Sequence, residues 1–548
     1  MHQPMRKFYE WLNSNAFGWL ALAGAALALA AVFLHFLTPW GPWAFSDSAD
    51  YIEAARNLAR GWGLTTRVSG GAFRLLTEHA PGYPVMLSFG FHLTHDWIAV
   101  ARWEDILAVA LFALLWGRLF WQITARPLVG VLALEIVATT FAFTRAFTSA
   151  MSEPWFLVWD TAALVLLESD LRAPKGWRTV LVGLFAAFAA LTRYAGLHLA
   201  AVIFFTYGLL ATEAKSRRWV RGALTAALPT AAVLGWTAYA WLAGGGFAGK
   251  FTHTPASILH AAAEYARQFA ALINAGYGVP PARWQTTVLV WIAVLGAALV
   301  SFDGAWRLRS HRRYGRLARG IILLTLEAAL YPLVIGAFFA LGNPKPTVDL
   351  RMFTPAYFAA IGAVLLWLVL YLEGAASRLR RSLSLPQVVY LLAAVGLAVW
   401  AYATPFQGKM WGETIHRYGK GYTQRAWHEW AHSDMHRYLQ GLPPDLLLIT
   451  NDWGGLRLWC DHATAALPRS GSSKIAPLGK GNTARDRLFA QNKAALVILK
   501  LSMSNLKRFG KPENVVAALT KGLTACYRSP WGGVYFARPP REIPCKGG

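Results

Sequence analysis

Several ionisable residues of this chain stand where they are costly. Positions 45–58 carry Asp47, Asp50, Glu53 and Arg56 around Tyr51. Positions 77–84 read Thr-Glu-His-Ala-Pro-Gly-Tyr-Pro and bring Glu78, His79 and Tyr83. Arg145 and Glu153 flank a short connection, Arg193 interrupts an apolar stretch, and Asp349 and Arg351 precede another. All adjoin long apolar runs, which avoid charge unless it faces a cavity or a partner. A carboxylate can take a proton from a hydroxyl, and the planar guanidinium fork suits phosphate oxygens. Acidic and arginine side chains at one membrane face are what proton transfer beside a phosphorylated lipid requires. Each also has a plainer reading. Asp47 or Ser48 can be a helix N-cap. Positions 77–84 can be only a rigid return turn. The others can be snorkelling or locally paired charges.

The elements that must position these residues are membrane spans. Of 548 residues 55% are apolar and 15% charged, against about 25% charged in soluble domains. Mean hydropathy is +0.35. This excludes a disordered chain, a disulfide scaffold and an ordinary cytosolic enzyme. The formal charge of +25 would suit nucleic acid, but much of it lies in short arginine clusters between apolar runs, so no nucleic-acid partner is expected. Eleven spans are predicted at 17–38, 98–120, 127–144, 151–168, 179–193, 196–211, 222–242, 286–302, 320–341, 353–372 and 386–403. The fifth and sixth form one apolar stretch broken at Arg193. With eleven spans the Lys/Arg clusters all fall on one side, which sets the N-terminus in the cytoplasm. The other side receives loops 39–97, 243–285 and 342–352 and everything after about residue 404.

In the first of these loops Tyr51, Ala55 and Leu58 keep helical spacing, which predicts an amphipathic helix lying on the interface. Trp40, Trp43, Trp62, Tyr83 and Trp284 read as interfacial anchors or as platforms for sugar rings. The tail, 404–548, predicts a small extracytoplasmic α/β domain. A helix is expected at 423–440, buried strands at 445–450 and 494–500, a helix at 512–523, and a hairpin of 526–529 with 534–538. It has neither a glycine-rich phosphate loop nor metal-ligand spacing, and reads as a structural or acceptor-docking cap. Of the three cysteines, Cys526 and Cys545 can pair and leave Cys460 free.

In order along the chain, these residues resemble the signatures of the GT-C superfamily of polytopic glycosyltransferases, with protein O-mannosyltransferases and lipid A aminoarabinose transferases as the relatives in view. Asp47 with Tyr51 matches the family's Asp four residues before an aromatic. The run His79-Ala80-Pro81-Gly82-Tyr83-Pro84 matches its His-Pro-Pro-Gly-Tyr-Pro turn with one substitution. Ser152-Glu153-Pro154, Leu191-Thr192-Arg193 and the stretch from Asp349 through Arg351 to Pro355 match three later signatures. His79 stands where the aminoarabinose transferases carry Lys. The resemblance covers the layout of residues 1–403, the membrane domain with its first outer loop 39–97.

The resemblance implies an α-helical polytopic enzyme of a bacterial inner membrane. It would move a sugar from a polyprenyl-phosphate donor to a lipid, glycan or protein acceptor. Asp47 would be the general base of a single inverting displacement. Arg193, Arg351 and His79 would meet the donor phosphate. Asp50, Tyr51, Glu78, Tyr83, Glu153 and Asp349 would support them or bind sugar. No cofactor is obligatory; a divalent metal is permitted but not indicated. Three other classes compete. A transporter or lipid flippase would show internal repeats, which are not evident. An oligosaccharide ligase or polymerase would place its catalytic loop late. A scaffold would act through the tail alone.

Overall fold

The computed structural model describes residues 14–67, 72–244, 255–275, 284–342, 350–378, 421–443, 445–460, 462–467, 469–470, 474–475, 484–540, 542–543 and 545. The chain is a multi-pass helical membrane protein with a sheet-containing C-terminal region. Among the described residues five helices are long and apolar enough to cross a membrane: Asn15–Leu37, Trp97–Thr124, Lys215–Leu242, Gly315–Phe338 and Arg351–Glu373. Pro127–Ala138, Gly176–Thr192 and Tyr194–Leu210 are shorter apolar helices. The eleventh predicted span, 386–403, lies outside the described residues, as does Asp349.

The breaks between helices have local causes. The predicted span 127–144 is two helices, Pro127–Ala138 and Phe141–Phe147. The Thr139 and Thr140 hydroxyls donate to the Ile136 and Val137 carbonyls, and Thr140 then accepts the Phe143 N–H. Arg193 is extended, at φ −153° and ψ 124°, between Gly176–Thr192 and a 3₁₀ turn, Tyr194–Leu197. That turn leads into His198–Leu210. The break expected at Arg193 is therefore real.

The first outer loop folds as the helix Ser46–Ala59, an antiparallel pair β1 (Thr65–Arg67) and β2 (Phe73–Leu75), and the helix Gly82–Phe91. Ser46–Ala59 is a helix as the spacing predicts, but it does not float on an interface. Tyr51 and Ala55 are buried, and the helix is packed between Gly82–Phe91 and the tail helix Trp453–Cys460. Trp43 and Tyr83 are likewise buried core rather than interfacial anchors.

The tail builds a five-stranded sheet from β3 (Leu447–Thr450), β4 (Thr464–Ala466), β7 (Ala494–Leu499), β8 (Thr524–Ser529) and β9 (Gly532–Phe536) in the order β4-β3-β7-β9-β8. A separate small pair is β5 (Arg469–Ser470) with β6 (Lys474–Ile475). β3, β4 and β7 are parallel; β9 is antiparallel to β7 and β8. Both expected strands and the expected hairpin are present. β3 and β7 are buried throughout, so they read as unbroken apolar runs. The expected helix at 423–440 is two, Arg425–Ala431 and Asp434–Gln440, because Ser433 accepts the His436 N–H and starts a new helix. Cys526 and Cys545 are bonded and Cys460 is free and buried.

The tail is sewn to the first loop. Trp43 exchanges backbone hydrogen bonds with Thr148 and Ala150, and the Tyr422 N–H donates to Ala44 O at 2.8 Å. Gly421, at φ +64°, makes that closeness possible; a Cβ there would lie 2.0 Å from Ala44 O.

Candidate active site

The first turn of Ser46–Ala59 decides whether Asp47 is a cap or something else. The Phe45 N–H donates to Ser48 Oγ at 3.0 Å, so Ser48 does the capping. The Asp47 carboxylate accepts from Ser46 Oγ at 3.2 Å. It points into a cavity of about 340 Å³ and lies 4.0 Å from Arg351 Nη2, with its side chain 42% exposed. Arg193 and Glu153 line the same cavity, together with Tyr51, Glu78, His79, Ser152 and Arg351. Ile335, Phe338 and Met352 make an apolar wall.

Glu153 is the counter-charge of the arginines. Its Oε1 is 2.8 Å from Arg193 Nη1 and 3.6 Å from Arg351 Nε, and its side chain is 3% exposed. Arg193 also approaches Ser152 Oγ at 3.5 Å. Three chain segments far apart in sequence thus meet at one carboxylate, which fixes both guanidiniums at the cavity floor. Glu78 is exposed and faces the cavity; Arg145 does not line it.

The return turn seats His79 from above. Gly82 lies so close to the C-terminal end of the helix Gly176–Thr192 that a Cβ would come within 2.7 Å of Thr192 Oγ1. A larger residue would push the turn off Arg193. The His79 ring lies 4.7 Å from the Tyr51 ring, which in turn meets the Tyr83 ring edge-on at 5.2 Å. Tyr51 OH donates to Ser152 Oγ at 3.4 Å, and burial pushes its phenol up, so it stays protonated. His79 Nε2 is 3.7 Å from Asp50 Oδ2. Burial alone would lower the imidazole, but the carboxylate of Asp50 beside it and the charges of Asp47 and Glu78 outweigh it and raise it.

One side chain that contacts the candidate residues escaped the sequence reading. Arg457, on Trp453–Cys460, reaches 2.6 Å to Asp50 Oδ1 and 3.2 Å to Glu53 Oε2. It donates to Arg67 O at 3.1 Å and lies over the Trp453 ring. Asp50 is thus shared between His79 and the tail. The signal, an arginine inside an apolar run, was present; its partners lie some four hundred positions away. Among the described residues one group of three side chains has metal-ligand proximity, Asp160, His198 and Glu327, and it does not include Asp47 or Asp50.

No family model and no curated protein matches the chain. Solved structures do. The chain is similar to ArnT from Cupriavidus metallidurans in the apo state, at 14% identity and a TM-score of 0.53, covering 96% of this chain and 99% of that one. It is also similar to the archaeal oligosaccharyltransferase AglB from Archaeoglobus fulgidus, in complex with an inhibitory peptide and a dolichol-phosphate. That likeness has 14% identity and a TM-score of 0.50, over 97% of this chain and 75% of that one. The fold is the one these two solved structures share.

Proposed function

We propose that this protein is an integral-membrane glycosyltransferase moving a hexose or pentose from a polyprenyl-phosphate donor to an envelope lipid, glycan or protein. The observation that carries the reading is the single cavity in which Asp47 faces Arg351 at 4.0 Å while Glu153 anchors both Arg351 and Arg193. The fold shared with AglB, whose structure contains a dolichol-phosphate, supports a lipid-phosphate donor. The apolar wall of Ile335, Phe338 and Met352 suits the first isoprene units.

The acceptor hydroxyl attacks the anomeric carbon as the bond to the lipid phosphate breaks, inverting the configuration. Asp47 takes the hydroxyl proton, an effect of about 10²–10⁴-fold for a positioned base. Much of the acceleration comes from holding the two substrates in line. The leaving phosphate gains charge, and Arg193, Arg351 and protonated His79 stabilise it, with roughly 10²–10³-fold for each well-placed donor. Glu153 holds the arginines. Tyr51 and Glu78 line the sugar subsite, and Asp50 and Tyr83 support them through His79 and the Tyr51 ring. No metal is needed for this chemistry.

Eleven spans put the N-terminus in the cytoplasm and the cavity on the extracytoplasmic face of a bacterial inner membrane. Residues 1–403 form the catalytic unit and 404–548 an extracytoplasmic α/β unit, with membrane lipids around the first. The test is mass spectrometry of envelope lipids and glycans from cells with and without the gene. One sugar should disappear, and Asp47→Asn should fail to restore it while the purified variant still binds polyprenyl phosphate. An unchanged envelope, or full restoration by Asp47→Asn, would overturn the assignment.

A further inference from the structure

Three helices each bury an ionisable residue that sugar transfer does not use. Asp160 lies on Glu153–Arg172, His198 on His198–Leu210 and Glu327 on Gly315–Gly342. They are 4%, 0% and 1% exposed, and one ligand atom from each lies within 4.8 Å of the other two.

His198 gives the cluster its meaning. Its Nδ1 is 3.0 Å from Ala195 O. A carbonyl oxygen only accepts, so Nδ1 carries the proton. Nε2 then faces Glu327 Oε1 at 2.6 Å and Asp160 Oδ1 at 3.3 Å. A bare nitrogen lone pair cannot sit that close to two carboxylates, so a positive occupant belongs at Nε2: a second proton or a metal ion. The rest of the cluster decides between them. Asp160 Oδ1 and Glu327 Oε2 are buried and have no hydrogen-bond partner among the described residues. A proton spent on Glu327 Oε1 leaves both unsatisfied and the cluster with a net negative charge in an apolar interior, a costly state. A divalent ion with a neutral imidazole and two carboxylates is electrically balanced and gives both acids a partner.

The ligand set fits. One imidazole and two carboxylates are zinc-class donors that leave a fourth position open. An Nδ1–H donated to a backbone carbonyl is the arrangement that fixes a metal-binding tautomer. Bonds of about 2.0–2.2 Å to a tetrahedral ion place ligand atoms about 3.3 Å apart. Asp160 already stands at that distance, and Glu327 would open by under an ångström. The rings of Tyr331 and Phe156 lie 4.8 and 6.2 Å from that of His198. The site is coupled to the cavity through Ala195, which lines it and whose carbonyl holds His198.

We infer that Asp160, His198 and Glu327 form a buried divalent-metal site of the zinc class that pins three helices together beneath the cavity. It is a structural site, independent of the transfer reaction.

The test uses the full-length protein, purified in detergent on a tag free of histidine and assayed by elemental mass spectrometry. About one zinc per chain is expected in the wild type, and under roughly a fifth of that in monodisperse Glu327→Gln and Asp160→Asn. Wild-type protein that stays monodisperse but holds under about a tenth of an equivalent after incubation with Zn²⁺ overturns the site and leaves a doubly protonated ring. Undiminished zinc in both variants also overturns it, by placing the metal elsewhere. If the variants do not fold, wild type loaded with Co²⁺ should show a visible band typical of nitrogen and oxygen ligands without thiolate charge transfer. Absence of that band overturns the site as well.

Discussion

The two ends of the helix Glu153–Arg172 carry the same chemistry to opposite purposes. At its C-terminal end Asp170 is fully buried, and its oxygens accept from the Lys175 N–H at 2.9 Å, Thr179 Oγ1 at 3.1 Å and Tyr207 OH at 2.6 Å, and from Arg221. At its N-terminal end Glu153 is equally buried and faces two guanidiniums, yet neither of its oxygens makes a well-aligned hydrogen bond. A saturated carboxylate closes a network and locks three other helices to its own. A carboxylate that holds arginines by charge keeps them at a cavity without fixing the last detail of their geometry. Only the second arrangement can accommodate an arriving phosphate.

Breaking the closed cluster should do the most damage. Asp170→Ala leaves Arg221 with Glu213 alone and the Tyr207, Thr179 and Lys175 donors without their acceptor, and should cost about 3 kcal/mol, read as a large fall in the unfolding temperature of the detergent-solubilised protein. At the open end, Arg193→Lys keeps the charge but loses the fork. Transfer should fall roughly a hundredfold with the unfolding temperature nearly unchanged. If the two substitutions lowered stability alike, the contrast between the two ends would be lost.

A smaller effect is expected from the tail. Arg457→Ala removes the cation that shares Asp50 with His79. Transfer should drop several-fold and its alkaline limb should move up, since the Asp50 carboxylate is then left to His79. A purely structural Arg457 would lower activity without moving the limb.

The mildest test is pH alone. The folded-state value of His79 is raised, so its favourable interactions are fully present below about pH 6.5 and are lost as pH rises through the raised value. Stability and transfer should both decline in that alkaline window. His79→Gln should flatten the profile; an unchanged profile would remove His79 from the phosphate site.

Much of this was legible in the chain. Charge beside apolar runs pointed to Asp47, His79, Glu153, Arg193 and Arg351, because a membrane segment tolerates a charge only where a cavity or partner offsets it. The same rule applied to Asp160, His198 and Glu327, which lie inside predicted spans, but a single ionisable residue in one span does not reveal that two others face it. The helix 45–58 was evident from its spacing. Its burial was not, since periodicity marks an apolar face without naming what covers it. The breaks at Arg193 and at Thr139–Thr140 differ in the same way: a charge announces an interruption, whereas a hydroxyl that turns back on its own helix does not.

The amino-acid order by itself determined long apolar helices such as Trp97–Thr124 and Gly315–Phe338, the break at Arg193 and the buried strands β3 and β7 of the tail, because each follows from local composition and period. Only the tertiary structure decided that Ser48 rather than Asp47 caps its helix, that Glu153 serves two arginines, and that Arg457 reaches Asp50 and Glu53. Those outcomes depend on which helix ends meet in space, and that meeting is set by packing across hundreds of residues, which no local pattern encodes.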